Sequence, residues 1–141
     1  MSNIIIAPHR DDEIIGCWEI IEEEIDKVYF AHGKELIDDN WGQKKGTVIK
    51  KFKKKDTLYF PDPYFETHPE HRYWGAFGEN LLREGHNVIF YSVNMLAPYI
   101  HEVENPTSKL DALNKEYSHK ADLWKYDHKY FLFEGRCKWL V

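Results

Sequence analysis

The feature that most constrains the fold is residues 3–17, where an apolar run leads directly into polar residues and then into a helical pattern. Residues 4–7 form a continuous apolar run of the length of a strand that is buried on both faces. Pro8 ends the hydrogen-bonding ladder of this strand. Four polar residues follow it: His9, Arg10, Asp11 and Asp12. The order strand, tight turn, helix predicts an α/β fold with its active site at the carboxyl ends of the strands.

The remaining pattern predicts further strands and helices in alternation, within a single domain that spans residues 1–141. The predicted strands after the first are residues 27–31, 57–60, 88–93 and 130–134. The predicted helices are residues 13–25, a helix capped by Thr67 that runs to about residue 83, and residues 109–124.

A lysine-rich segment allows two interpretations. Residues 36–56 include Lys44, Lys45, Lys50, Lys51, Lys53, Lys54 and Lys55. We favour an exposed helix with a thin apolar stripe, because runs of lysine are usually solvated. The alternative is a basic patch that binds nucleic acid or a phosphorylated partner. The net charge of −5 argues against a general nucleic-acid binder.

Composition also bears on the compartment. The chain has two cysteines, Cys17 and Cys137, and no Cys-x-x-Cys pair, so neither a disulfide framework nor a cysteine zinc cluster is predicted. The amino terminus does not have the pattern of a signal peptide, and no apolar run is long enough to cross a membrane. We therefore expect a soluble cytoplasmic protein with no membrane insertion.

Two histidine-containing motifs indicate chemistry. The turn after the first strand places one histidine and two aspartates within four residues, which suits a metal site with a spare carboxylate. The later motif is His68-Pro69-Glu70-His71, whose two histidines share one face of a helical turn. The alternative involves no metal: His9 is a hydrogen-bonded turn histidine, and Asp11 and Asp12 cap the helix.

These motifs resemble those of a known family. His9-Arg10-Asp11-Asp12-Glu13 is similar to the His-Pro-Asp-Asp-Glu signature of the PIG-L/LmbE zinc-dependent de-N-acetylases. The segment 68–71 resembles the later His-Pro-Asp-His motif of that family, and the two occur in the same order. Arg10 replaces the usual proline, Glu70 replaces the usual aspartate, and the arginine pattern that reaches substrate in the family is missing.

The resemblance implies a compact Rossmann-like three-layer sandwich with a mostly parallel sheet. It also implies one zinc ion per chain, or another divalent metal, and a role for each motif residue. The zinc ligands would be His9, Asp12 and His71. Asp11 would be the general base, and His68 would stabilise the oxyanion or protonate the leaving amine. Lys34 would lie near the substrate, an N-acetylglucosamine-type molecule that releases acetate. Arg10, which departs from the family pattern, offers charge to an anionic substrate or forms a salt bridge with a carboxylate such as Glu13.

The same residues are compatible with other functions. The same machinery could hydrolyse another amide, and two histidines with one carboxylate could hold Fe(II) in an oxygenase. We rank the oxygenase lower, because the turn and the second aspartate suit hydrolysis better. A third alternative is an inactive binding member of the same fold that uses the lysine segment 44–55.

Overall fold

A computed structural model describes residues 2–38 and 46–139, which fold as an α/β protein around one mixed sheet of eight strands. The strands are β1 Asn3–Ala7, β2 Lys27–His32, β3 Glu35–Asp38, β4 Thr47–Ile49, β5 Thr57–Pro61, β6 Asn87–Tyr91, β7 Ile100–Glu102 and β8 Phe133–Cys137. Their order across the sheet is β4-β3-β2-β1-β5-β6-β8-β7.

The sheet is parallel at its centre and antiparallel towards both edges. Strand β1 pairs in parallel with β2 and β5, and β5 pairs in parallel with β6. The pairs β2–β3, β3–β4, β6–β8 and β7–β8 are antiparallel. The prediction of a mostly parallel sheet is therefore correct for the centre alone. A short turn at Gly33, with φ of 63°, joins β2 to β3, and a turn this short can only join antiparallel strands.

Helices pack on both faces of the sheet. They are α1 Asp12–Glu23, α2 Pro69–Arg83, α3 Pro106–Glu116, α4 Asp122–Tyr126 and α5 Lys129–Leu132. Alternate residues of β1 point to opposite faces. Ile5 and Ala7 join a core cluster with α1 and α3, whereas Ile4 and Ile6 join another with Trp74 of α2. This burial on both faces explains the continuous apolar run of β1.

The exposed helix predicted for the lysine-rich part of residues 36–56 is wrong in the described residues. This segment contains part of β3 and all of β4, and residues 39–45, which include Lys44 and Lys45, lie outside the described part. Leu36 is buried within β3, and Phe52 packs against the core beyond β4. The solvated lysine surface is confirmed for the described lysines, which are all exposed: Lys50, Lys51, Lys53, Lys54 and Lys55.

The predicted helix over residues 109–124 and the strand over 130–134 need correction too. Helix α3 begins at Pro106, where the side chain of Asn105 accepts a hydrogen bond from the Ser108 N–H at 3.1 Å. It ends at Glu116, because Tyr117 leaves the helical conformation at φ −133°. A 3₁₀ turn and α4 follow as separate elements. Most of the predicted last strand is α5, and β8 begins only at Phe133.

A close contact fixes α2 against the end of β5. A Cβ atom added at Gly75 would lie 2.6 Å from the carbonyl oxygen of Pro61, which is closer than real Cβ contacts allow. Only glycine therefore lets the helix approach this strand end so closely. The contact holds the first turns of α2 at the carboxyl end of β5.

In the described ranges, the helices are all too short or too polar to cross a membrane.

Candidate metal centre

The turn after β1 and the start of α2 meet at the carboxyl edge of the sheet. Strands β1 and β5 are adjacent and parallel, so the segments that leave them lie at the same edge. The turn is closed by the backbone N–H of Asp12, which donates to the His9 carbonyl at 3.2 Å. Asp11 has a φ of 113°, in the left-handed region that non-glycine residues rarely adopt. Backbone strain of this kind is concentrated at functional turns.

Three donor atoms from the two motifs converge on one point. Asp12 Oδ2 lies 3.0 Å from His71 Nε2 and 3.3 Å from His9 Nδ1. His9 Nδ1 lies 3.1 Å from His71 Nε2. In a tetrahedral zinc site with bonds of 2.0–2.1 Å, two ligand atoms are about 3.3 Å apart. The spacing of the three atoms therefore fits a small divalent metal, and the family resemblance implies the same three residues as ligands.

A buried carboxylate orients His71. Glu66 Oε1 lies 2.8 Å from Nδ1 of His71, which leaves Nε2 facing Asp12. The Glu66 carboxylate is held in turn by the backbone N–H groups of Val93 and Asn94, at 3.2 and 3.3 Å. Metal-binding histidines commonly bond their second ring nitrogen to a carboxylate in this way.

His9 has a corresponding partner on its other side. Glu70 Oε2 lies 3.2 Å from His9 Nε2, the ring nitrogen that points away from His71. Glu70 stands between the two histidines of the second motif, so the same helical turn supplies a donor and an orienting carboxylate. Both converging histidines thus carry a carboxylate on the nitrogen that faces away from the cluster.

His68 lies beside the convergence point and caps α2. Its Nδ1 accepts a hydrogen bond from the backbone N–H of Glu70 at 3.1 Å, so it and not the predicted Thr67 is the N-cap. Its ring centroid lies 4.6 Å from that of His9 and 5.0 Å from that of His71. The ligand atoms of these three histidines lie within 4.8 Å of one another, so His68 too is within reach of a shared metal.

Asp11 is held at the edge of the cluster by a lysine distant in sequence. Lys120 Nζ lies 3.4 Å from Asp11 Oδ2 and donates to the carbonyl of Arg10 at 2.6 Å. Burial and the negative charge of Asp12 raise the pKa of Asp11 to about 7, although Lys120 opposes this shift. A carboxylate with a pKa near neutrality is well suited to exchange protons with water.

The charges of the converging groups are strongly coupled. Burial alone would raise the pKa of Asp12, but hydrogen bonds from His71 and His9 outweigh it and hold the pKa well below its usual range. Burial also opposes protonation of His71, but Asp12 and Glu66 raise its pKa to about 10. The metal-free centre is therefore an imidazolium paired with two carboxylates.

The neighbouring carboxyl of Glu13 is a structural group. It is fully buried, and it accepts hydrogen bonds from the Tyr117 hydroxyl and from the backbone N–H of Asp11, the latter at 2.9 Å. Burial raises the pKa of Glu13 to about 8. Glu13 therefore ties the turn after β1 to the carboxyl end of α3.

The two predicted substrate-binding cations differ in position. The Arg10 guanidinium lies over the ring of Phe30, with Cζ 4.3 Å from the ring centroid, on the side of β2. Lys34 lies in the turn between β2 and β3, with Nζ 5.9 Å from the ring centroid of Tyr73. It lines a cavity of about 460 Å³ together with Pro69 and Glu70. The structure thus brings Lys34 close to the second motif.

The carboxyl-terminal part of the lysine segment lies away from the centre. Lys54 Nζ donates to the backbone carbonyl of Glu84, which directly follows α2. At a rise of 1.5 Å per residue, this point is about 20 Å along the helix from His71. Lys54 is therefore not part of the histidine cluster.

Sequence reasoning missed two residues of the site. Glu66 lies in the loop before the second motif, two positions from His68, and this closeness was the only available signal. Lys120 gave no signal, because its contact with Asp11 joins residues more than a hundred positions apart.

Comparison with protein families, curated proteins and solved structures gives no significant match for this chain.

Proposed function

We propose that this chain is a zinc-dependent hydrolase that removes the N-acetyl group from an N-acetylglucosamine-type substrate and releases acetate. The observation that carries the proposal is the convergence of Asp12 Oδ2, His9 Nδ1 and His71 Nε2 within 3.0–3.3 Å of one another. The order of the two motifs supports the same conclusion. We also propose that the α/β sheet with helices on both faces is a Rossmann-like three-layer sandwich.

The ligands of the metal would be His9, Asp12 and His71, and three protein ligands are what a catalytic zinc site uses. A bound zinc ion lowers the pKa of a coordinated water and polarises the substrate carbonyl. Fe(II) accepts the same donor set, but Asp11 at the rim of the site favours hydrolysis.

Asp11 and His68 would move the protons of the reaction. Asp11 accepts a proton from the attacking water as the water oxygen bonds to the acetyl carbon. His68 accepts a hydrogen bond at Nδ1, so the proton of its neutral ring is on Nε2. That N–H stabilises the developing oxyanion. The proton that Asp11 took from the water goes to the amine as the carbon–nitrogen bond breaks, either directly or through His68 as an imidazolium. The products are acetate and a free amine.

Two further residues would position this machinery. Glu66 fixes the ring of His71 through Nδ1, and Lys120 holds Asp11 at the edge of the site. Neither needs to touch the substrate to affect the rate. Cys17 and Cys137 are both free thiols, which fits the proposed cytoplasmic location.

The experiment is an acetate-release assay on zinc-loaded protein. The substrates are N-acetylglucosamine, its 1-phosphate, a nucleotide-linked form and N,N′-diacetylchitobiose, each compared with protein treated with a chelator. Acetate release that needs zinc and is lost in Asp11→Asn supports the proposal. If the zinc-loaded protein releases no acetate from any of these substrates, the proposal is wrong.

A further inference from the structure

An exposed aromatic ring separates two cavities on the outer face of α2. Tyr73 is 42% exposed, and it lines both a cavity of about 460 Å³ and a second one of about 480 Å³. The first cavity also contains Lys34 and Glu70, and the second contains Arg72 and Glu79. A ring in this position is available to a ligand on either side.

Each cavity has one cation without a carboxylate partner. Within residues 2–38 and 46–139, neither Lys34 nor Arg72 forms an ion pair. The carboxylates that line the same cavities already have partners. Glu70 pairs with His9 at 3.2 Å, and Glu79 pairs with Arg83 at 2.6 Å. Among the described residues, Lys34 and Arg72 are thus the cations of the two cavities that have no ion-pair partner.

This surface adjoins the histidine cluster. Tyr73 follows Glu70 by three residues and Arg72 follows His68 by four, so each pair shares a face of the helix. Residues in such pairs have Cβ atoms about 5–6 Å apart. The first cavity also borders the cluster through Glu70, which lines it and whose Oε2 lies 3.2 Å from His9 Nε2.

We propose that Tyr73, Lys34 and Arg72 form a subsite for a nucleoside diphosphate group attached to the amino sugar. The inference rests on the proposed hydrolase function and names the substrate class of that site. Tyr73 stacks on the planar base, since aromatic faces bind bases with little dependence on their identity. The diphosphate passes the edge of the ring, where Arg72 offers it paired donors on one side and Lys34 a point charge on the other.

Binding of uridine 5′-diphosphate to metal-free protein tests the subsite without involving catalysis. Uridine 5′-diphosphate has both the base and the phosphates but no acetyl group, and removal of the metal prevents phosphate from binding zinc. Calorimetric titration compares it with uridine, with pyrophosphate and with an octamer of thymidylate. The variants are Tyr73→Ala and the double variant Lys34→Gln/Arg72→Gln. The matched control is Lys115→Gln, an exposed lysine of α3 that lines neither cavity.

We expect wild-type protein and Lys115→Gln to bind uridine 5′-diphosphate alike, and each subsite variant to bind it at least about tenfold more weakly. Uridine and pyrophosphate alone should bind more weakly than the whole molecule. The subsite is refuted if wild-type protein does not bind the diphosphate at millimolar concentration, or if the double variant binds it like wild type. If pyrophosphate binds as tightly as uridine 5′-diphosphate, Tyr73 does not stack on the base. If the octamer binds more tightly than uridine 5′-diphosphate, the surface binds single-stranded nucleic acid and the proposed ligand is wrong.

Failure of this test can be distinguished from failure of the proposed hydrolase. The titration uses metal-free protein, whereas acetate release from uncharged N-acetylglucosamine uses the zinc centre without the subsite. If the subsite is present, the double variant raises KM on the nucleotide-linked substrate by at least about tenfold more than it raises KM on uncharged N-acetylglucosamine. A double variant with the same KM as wild type on the nucleotide-linked substrate contradicts the proposal.

Discussion

Glu66 lies behind His71, with Oε1 2.8 Å from Nδ1, while Nε2 of the same ring faces Asp12 Oδ2 at 3.0 Å. The His71 imidazole is therefore held between two carboxylates. Asp12 faces it from within the proposed centre, and Glu66 faces it from behind. The arrangement fixes the ring orientation and leaves one nitrogen for a metal. It is the strongest structural sign that His71 is more than a buried histidine.

Replacement of Glu66 by glutamine should weaken zinc binding by about 10- to 100-fold. The amide keeps the shape of the side chain but loses the charge, and one backbone N–H of Val93 or Asn94 then faces an NH₂ group. Competition with a fluorescent zinc chelator measures the affinity. Glu84→Gln, an exposed carboxylate at the other end of α2, is the control and should bind zinc like wild type. Equal affinities of the two variants would contradict the role of Glu66.

Asp11→Asn should lower kcat by about 10²- to 10⁴-fold, because the general base is lost. Zinc content should remain about one per chain, since Asp11 is not among the proposed ligands. Steady-state acetate release gives the rate, and metal analysis of the same preparation gives the zinc. A variant that loses zinc together with activity would show that Asp11 is a ligand and not the base.

Zinc binding at pH 7.5 should release about one proton from His71. The pKa of this group is raised to about 10 in the metal-free protein, so the ring is protonated at pH 7.5, and a zinc ligand must be neutral. Affinity should therefore fall about tenfold for each unit by which pH decreases. Calorimetry in two buffers of different ionisation enthalpy measures the protons released. Binding with no proton released would contradict the ion-paired state of His71.

Gly75→Ala should lower the free energy of unfolding by about 1–3 kcal/mol, because the added methyl group would meet the backbone of Pro61 and Pro63. Zinc affinity should fall as well, since α2 carries His71. Urea denaturation measures the stability. The control is Ala76→Ser, an exposed neighbour that should change stability by less than about 0.5 kcal/mol. If Gly75→Ala has the same free energy of unfolding as wild type, α2 can move away from β5 without destabilising the fold, and the predicted role of Gly75 is wrong.

A buried ion pair between α3 and β8 predicts that the free energy of unfolding depends on pH. Lys109 Nζ lies 2.9 Å from Glu134 Oε2, and both side chains are fully buried. Burial lowers the pKa of Lys109 from 10.5 to about 8, although Glu134 opposes the shift. Between these values the unfolded chain binds more protons than the folded one, so the contribution of Lys109 to stability rises with pH.

The comparison is wild type against Lys109→Met, by urea denaturation at pH 7.5 and 9.5. Glu134 keeps an ion pair with Arg136 at 2.7 Å in the variant. The stability of wild type relative to the variant should increase by about 1–2 kcal/mol over this range. A constant or decreasing difference would mean that the lysine keeps an ordinary pKa when it is buried.

The elements that could be predicted from the sequence are those whose pattern is local. Residues 4–7 are buried on both faces, so the strand shows as a continuous apolar run. Strand β7 could not be predicted, because Ile100–Glu102 contains one apolar residue and is a strand through its pairing with β8. The end of α3 depends on the bond from Tyr117 to Glu13, which are 104 positions apart.

The candidate site divides in the same way. The turn from His9 to Asp12 is local, and the spacing of His68 and His71 follows the helix, so both motifs were visible in the sequence. Their convergence was implied by resemblance to a family and not by any local pattern. The contacts of Glu66 with the segment after β6, and of Lys120 with Asp11, depend on the folded topology.

The metal content of the purified protein tests the central claim most directly. Mass spectrometry of wild type, His71→Ala and the control His128→Ala, an exposed histidine away from the cluster, gives the zinc per chain after loading and desalting. We predict about one zinc in wild type and in His128→Ala, and none in His71→Ala. The account is contradicted if wild type retains no zinc, or if His71→Ala retains as much as wild type.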